Sequence, residues 1–369
     1  MTWRFARIFI TLCAASISAP ALAQPAGALG DDFVYRVQRG DTLINLATTY
    51  TRNEANWTAL QRINAVADPY RLAIGRELHI PLSMIPVVPA QTVVAHVSGS
   101  AAMDGAPLRE GSRVEEGSTI TTSANGFVTL ELADGTKITL PRAGATHLER
   151  LRQFEGNALT DSILRVENGT VDSSVAPNGQ GVGRFEIRTP VAVTGVRGTR
   201  FRVQAGNQGV RSEVLEGSVR LQPHAKGDKP GQPVAVATGY GAAIGADGRL
   251  DGIRPLLPAP RLGIPKRAGS GQWTTEFDPV PGAVSYEVVI SSDEEGMEPV
   301  SSTLFDSPSA NRFSAPGAGT YYVTVRAVDA SGLRGRDACV PFEGANALMT
   351  MSGLPVSLSD GGVVTLAEY

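Results

Sequence analysis

Cysteine and histidine are scarce in this chain, with two Cys and four His in 369 residues. Cys13 falls in an N-terminal leader-like stretch, which leaves Cys339 without a partner for an internal disulfide. A disulfide scaffold is therefore excluded, and packing must hold the fold, as a chain of this length allows. A lone thiol of this kind reads as a buried strand residue, with intermolecular pairing as the alternative. His79, His96, His147 and His224 form no His-x-His or His-Glu-x-x-His arrangement of the kind zinc chemistry uses. No Gly-x-Ser-x-Gly elbow and no phosphate loop occur. No catalytic residue, metal site or cofactor is expected. Aromatics are only 6%, while Gly (41) and Pro (24) are plentiful, a balance that favours strands and turns over helical bundles. The formal charge of −3 excludes a globally basic nucleic-acid binder. Beyond the first residues, no apolar run approaches the roughly 18 needed to span a bilayer.

The first 23 residues have the order of an export signal: Arg4 and Arg7, an apolar run from Ile8 to Ile17, then Ala21-Leu22-Ala23. Cleavage after Ala23 is expected, giving an exported, periplasmic protein. The apolar run is too short for a membrane anchor.

Charge divides the remainder into zones. Residues 33–82 carry six basic and four acidic groups, and residues 92–222 carry fourteen of each. Residues 268–369 carry four basic against thirteen acidic. Two Pro-rich joints, Pro81 to Pro89 and Pro255 to Pro265, read as extended, semi-rigid spacers. The expected organisation is a small module at 33–82, a larger one at 92–250, a linker at 251–267, a third module at 268–345 and a tail at 346–369.

In the first module, Phe33 to Val37 alternates as a strand and Gly40-Asp41 makes a turn. Asp41 or Thr42 can cap a helix from Leu43 to about Tyr50. A second helix fits Glu54 to Ile63, with Trp57, Leu60 and Ile63 inward, and Asn64 stops it. Glu77 to Ile80 closes the unit, giving the order β-α-α-β. At Tyr35-Arg36-Val37, Gly40-Asp41-Thr42-Leu43, Leu46-Ala47, Tyr50, Trp57, Leu60, Ile63-Asn64, Ile74-Gly75 and Leu78-His79-Ile80-Pro81 the segment resembles the LysM domain. That resemblance implies binding of N-acetylglucosamine-containing glycans, above all peptidoglycan, without catalysis. Carried over by position, the implied glycan groove comprises Gly40, Asp41, Thr42 and Leu43 on one side. Tyr70, Arg71, Leu72, Ala73, Ile74 and Gly75 form the other. Backbone groups of two facing loops suit acetamido groups and hydroxyls, and Leu72 and Ile74 suit sugar faces. Arg71 and Arg76 stand where milder residues are common in the family.

From Thr92 the helical period gives way to short alternating runs, including 92–97, 119–122, 127–132, 137–140, 162–166, 170–175, 184–188, 201–204 and 211–215. Asn125-Gly126, Asp134-Gly135, Asn168-Gly169 and Glu216-Gly217 read as turns between them. An all-β sandwich, a jelly roll and a stacked β architecture all fit. Through Gly117 to Thr122, Asp134-Gly135-Thr136, Leu164 to Gly169, Ile187 to Pro190, Val196 to Phe201 and Val214 to Val219, the region is similar to the FecR domain family. The resemblance implies a periplasmic β-domain. The family's sigma-factor relay runs through a membrane helix, which this chain lacks after its leader. Residues 184–202 hold Arg184, Arg188, Arg197, Arg200 and Arg202 against one Glu186. This is either a docking surface for an anionic partner or a set of strand positions paired with nearby acids. Gly198 is expected at a bend.

In the third module, Val284 to Ser291 and Tyr321 to Val328 alternate as strands, with Trp273 and Tyr286 as core candidates. It resembles a fibronectin type III or related Ig-like sandwich. Asp293-Glu294-Glu295 reads as a solvated run, with calcium binding the alternative.

The expected fold is therefore mainly β and multidomain. The expected function is that of a non-enzymatic periplasmic, peptidoglycan-binding adaptor or envelope-sensing protein with an envelope protein partner and no nucleic acid. The alternatives are a peptidoglycan hydrolase with an unrecognised site, since any β-fold can pair two carboxylates, and a regulator relaying a signal through a separate membrane partner.

Overall fold

The computed structural model describes residues 27–29, 31–140, 142–155, 160–175, 183–224, 231–269 and 272–344, together with 348, 350, 356 and 364. The export signal and most of the tail lie outside the described residues.

Among the described residues the chain is mainly β, with α-helices confined to its N-terminal unit. That unit holds β1 (Gly27–Leu29), β2 (Asp32–Arg36), α1 (Leu43–Thr51), α2 (Trp57–Ile63) and β3 (Glu77–Pro81). The sheet order is β1-β2-β3, so the expected β-α-α-β unit gains an extra edge strand. Thr42 caps α1 by accepting the Asn45 N–H at 3.1 Å, and Arg52 ends the helix in the left-handed region. Leu43, Leu46 and Ala47 are buried, and Tyr50 packs against the same core. Asn64 stops α2 and ties it to β3: its side chain donates to the carbonyls of Leu60 and His79 and accepts the His79 N–H. Ile63, expected inward, is 48% exposed: it is the last residue of α2, and the residue of that helix buried in the core is Leu60.

The central unit runs through β4 (Val87–Pro89), β5 (Thr92–Ser98), β6 (Ala101–Met103), β7 (Ala106–Pro107), β8 (Arg113–Val114), β9 (Thr119–Thr122) and β10 (Phe127–Glu131). It continues through β11 (Lys137–Leu140), β12 (Ala145–Phe154), β13 (Thr160–Ser174), β14 (Arg184–Arg188), β15 (Ala192–Gly206) and β16 (Gly209–Pro223). β17 (Val234–Ala237), β18 (Tyr240–Ile244) and β19 (Leu250–Pro255) complete one hydrogen-bonded network of sixteen strands. Its apolar core includes Leu130, Ile138, Leu148, Leu164, Val171, Ile187, Phe201, Val214 and Leu221.

Two expected turns are corners inside long strands. The first half of β13 pairs with β12 and, in parallel, with β14, while its second half pairs with β15 and β11. The change of partner falls at Gly169, at φ 105°. In β16 the corner is Gly217, at φ 78°, opposite the bulge of β15 that contains Gly198 at φ 54°. Asn168-Gly169 and Glu216-Gly217 therefore bend strands without ending them, as strands do when they pass between sheet layers. Gly198 sits at the bend expected of it.

The first Pro-rich joint is not extended throughout: a 3-10 turn at Leu82–Met84 precedes its strand, and neighbouring strands take up backbone groups of both joints. β4 pairs with β12, matching Val87 with Phe154. β19 pairs with β18, and Leu256 beyond it is buried. The C-terminal unit has β20 (Lys266–Gly269), β21 (Gln272–Thr274), β22 (Ala283–Ser291), β23 (Pro299–Phe305), β24 (Thr320–Asp329) and β25 (Ala338–Glu343). Its four-stranded antiparallel sheet has the order β23-β22-β24-β25. Tyr286 is buried in its core, and Trp273 packs on Phe342 with ring centroids 5.7 Å apart. Cys339 lies on the edge strand β25 and is exposed, contrary to expectation, because the edge leaves its outward side uncovered.

Candidate functional site

Two features organise the chemistry of this chain: the loop pair of the N-terminal unit and the polar seams that join the three units.

The expected groove residues come together. The turn before α1 and the loop before β3 are bridged by Leu43 N–H, which donates to the Pro69 carbonyl at 3.0 Å. Gly75 N–H donates to Val37 at 2.8 Å, and Val37 N–H returns to Arg76 at 2.9 Å. Gly40 and Gly75 both have positive φ, 94° and 82°, where a side chain would strain the backbone. The residues then divide by role. Leu43 is fully buried, so it contributes backbone and core alone. Asp41 is committed inward: its carboxylate accepts the Tyr35 hydroxyl at 2.8 Å and the Gln38 N–H at 2.6 Å. Burial, and then that hydrogen bond to Asp41, raises the Tyr35 hydroxyl's pKa far above its usual range. Thr42 accepts from Asn45, which leaves its hydroxyl proton to donate outward. Leu72 packs part-buried against the core. Arg71 and Ala73 are exposed. Tyr70 and Ile74 are 66% and 70% exposed, a large apolar pair offered to solvent by an otherwise well-packed unit.

The second feature was not foreseen. The two central strands of the C-terminal sheet, β22 and β24, are covered on both faces over much of their length. Tyr286, Val288 and Ile290 of β22 enter its own core, while Glu287 and Val289 face the central unit. On β24, Val323, Val325 and Ala327 face inward and Arg326 faces the seam. There Arg326 pairs with Asp337 at 2.7 Å and with Asp172 and Glu287 at 3.3 and 3.4 Å. Arg334 pairs with Glu287 at 2.7 Å. Arg202, 1% exposed, reaches Asp337 at 3.1 Å and Glu213, itself fully buried, at 3.5 Å. Burial works to raise the Glu287 carboxyl, but Arg334 and Arg326 outweigh it and bring it down to about 2. Glu213 moves the other way, because burial outweighs its arginines. Neutral contacts add to the seam. Thr129 and Thr139 hydroxyls both donate to the Met297 carbonyl. The acidic run belongs to this docking loop: Asp293 accepts the Met297 and Glu298 N–H groups at 3.0 and 2.7 Å. No group of three or more metal-type ligands occurs among the described residues.

Arg184, Arg188, Arg200 and Arg202 are thus paired with acids of the chain itself. Arg188 binds Glu149 and Glu186, and Arg200 and Arg202 reach Asp337 of the C-terminal unit. Arg184 forms a bidentate pair with Asp161 and extends 2.9 Å to Asp31 beside β2. Beside that contact, Phe154 of β12 is buried in the N-terminal core with Leu82 and Ile85. The acidic excess of residues 268–369 is visible in the sequence, but not that one of its acids, Asp337, faces Arg200 and Arg202.

The LysM domain family model matches residues 35–81, and the FecR protein family model matches residues 118–220. Among solved structures, the chain is similar to two crystal structures of a "putative anti-sigma factor" from Parabacteroides distasonis, at 16% and 17% identity and a TM-score of 0.30. Each alignment covers 37% of this chain and 59% of that one. A comparison with curated proteins finds no match. Among the described residues, no helix is long and apolar enough to cross a membrane.

Proposed function

We propose that this chain is a non-catalytic, periplasmic adaptor that holds peptidoglycan through its LysM-like unit at 33–82 and presents its β-units at 92–250 and 268–345 to an envelope protein. The observation that carries the reading is the loop pair. Its inner polar groups are satisfied, its backbone is bridged at Leu43 and Pro69, and it offers Tyr70 and Ile74 outward. Such a surface suits sugar rings and N-acetyl methyls, with the Thr42 hydroxyl as a donor. Binding by one such unit is weak, and many copies on a polymer raise it.

The buried junctions support an adaptor in which glycan contact fixes the position of the β-units, because Phe154 and Arg184 tie the first unit to the second. The FecR match supports envelope signalling as the business of those β-units, with the membrane step supplied by a separate protein. The C-terminal unit, with Trp273 and Tyr286 in a β core, serves as a fibronectin type III or Ig-like docking piece. The test is co-sedimentation of the full chain with purified sacculi, followed by crosslinking in intact envelopes. Retention on sacculi and a discrete crosslinked envelope protein support the reading. A chain that stays in the supernatant contradicts it.

A further inference from the structure

Charge around the loop pair is unevenly committed. Each acidic side chain there is already engaged. Asp41 holds the Tyr35 hydroxyl and Gln38 N–H, Asp68 accepts the Tyr70 N–H at 2.9 Å, and Glu77 pairs with Arg36 at 3.0 Å. Arg76 is also committed, since its guanidinium donates to the carbonyls of Asn64 and Ala65 at the end of α2. Arg39 and Arg71 differ. Both are exposed, and neither has an ion pair or side-chain hydrogen bond among the described residues. Arg39 lies in the turn next to Gly40, and Arg71 lies between Tyr70 and Leu72. The bridge from Leu43 to Pro69 sets those two loops side by side. An exposed tyrosine and isoleucine therefore stand on the same pair of bridged loops as two uncommitted arginines.

Guanidinium presents a planar fork of donors that matches a carboxylate, and its charge does not titrate. A neutral N-acetylglucosamine polymer offers it only uncharged acceptors, hydroxyls and acetamido carbonyls. A cell-wall glycan offers carboxylates on its peptide stems, and a free lactyl carboxylate wherever a stem has been removed. We propose that Arg39 and Arg71 read carboxylates carried by the glycan, so that this unit selects acidic, stem-bearing peptidoglycan over a neutral N-acetylglucosamine homopolymer. The proposal rests on the glycan-binding reading above and names the chemistry by which its ligand is selected.

The experiment titrates the full chain by calorimetry with three soluble oligomers of equal sugar number. These are stem-bearing peptidoglycan fragments, the same fragments stripped of stems by an amidase, and a neutral chito-oligosaccharide. Exposed charge pairs are individually modest, so the expected preference for the stem-bearing oligomer is about fivefold to tenfold at low salt. It shrinks as ionic strength rises and the Debye length falls toward about 8 Å. In the Arg39→Gln/Arg71→Gln double variant the ratio of the two affinities should fall to near one. Loss of preference on stripping assigns recognition to the stem carboxylates, and its retention shows that the lactyl carboxylates freed by the amidase take their place; both support carboxylate recognition. Equal binding of the stem-bearing and neutral oligomers overturns it and leaves glycan binding intact. A preference unchanged in the double variant also overturns it. Failure to bind all three oligomers contradicts the glycan-binding reading itself.

Discussion

Arg326 of β24 donates to Asp337 at 2.7 Å and to Asp172 of the central unit at 3.3 Å, so one buried guanidinium spans the seam between two units. Alternation along Tyr321 to Val328 marks Arg326 as an outward residue. The structure agrees about the direction, but outward from this sheet means into a neighbouring protein surface.

That pairing predicts a large cost for removing one partner. Arg326→Ala leaves the part-buried Asp172, Glu287 and Asp337 with fewer cations to balance them. Breaking a buried pair in this way costs about 3–5 kcal/mol. Chemical denaturation should register that loss, and limited proteolysis should cut near the 251–267 segment. Unchanged stability would show that the seam is solvated and weak.

Acid should weaken the same seam. Glu287 is held down to about 2 in the folded chain, below its ordinary range, so its contribution is complete above its unfolded pKa near 4.3. That contribution is lost as pH falls from about 4.3 toward about 2. Asp337 is lowered too: its arginine partners overcome the effect of burial, and it acts in the same direction. Glu213 is raised by burial, binds its proton earlier and partly offsets the loss. Denaturation at stepped pH should show stability falling through this acid window, and Glu287→Gln should flatten the fall. A Glu287→Gln profile that parallels the parent would assign acid sensitivity elsewhere.

Phe154 gives a third prediction. It belongs by sequence to the central unit and by packing to the N-terminal core. Phe154→Ala should cost about 3–5 kcal/mol, the range for emptying a large aromatic site. The loss should appear as early exchange of amides in 33–82. An isolated 33–82 fragment should melt below the same segment in the full chain, since it lacks Phe154 and the Arg184 contact to Asp31.

Gly217 tests the corner. A Cβ there would meet the Gly198 carbonyl oxygen at 2.8 Å, and its φ is 78°. Gly217→Ala should destabilise the chain by more than about 1 kcal/mol, because strain and a backbone clash add. A neutral result would mean that the strand passes the corner without needing this glycine.

Local rules made much of this fold legible. β-branched alternation marked Thr119–Thr122, Lys137–Leu140 and Arg184–Arg188 at their observed bounds. Thr42 and Asn64 announced the start of α1 and the end of α2. What escaped was non-local. A glycine with positive φ has the same sequence signature whether it closes a hairpin, as at Asp134-Gly135, or turns a continuing strand, as at Gly169 and Gly217. Arginines at outward strand positions look solvated until a second unit covers them, as happens to Arg202. In the candidate groove, the loop residues are brought together as expected. Asp41 and Leu43, however, are spent on the turn and the core, and that division of labour depends on their contacts with Tyr35 and Pro69, which only the folded chain reveals.

The most direct test of the glycan-binding account is co-sedimentation of the full chain and its Ile74→Asp variant with purified sacculi. Ile74 is exposed, so the substitution alters the proposed sugar-facing surface and leaves the core untouched. The predicted result is at least about tenfold weaker retention, on the order of 1.4 kcal/mol, with an unchanged melting transition. Full retention of Ile74→Asp on sacculi would place glycan binding elsewhere on the chain and contradict the account.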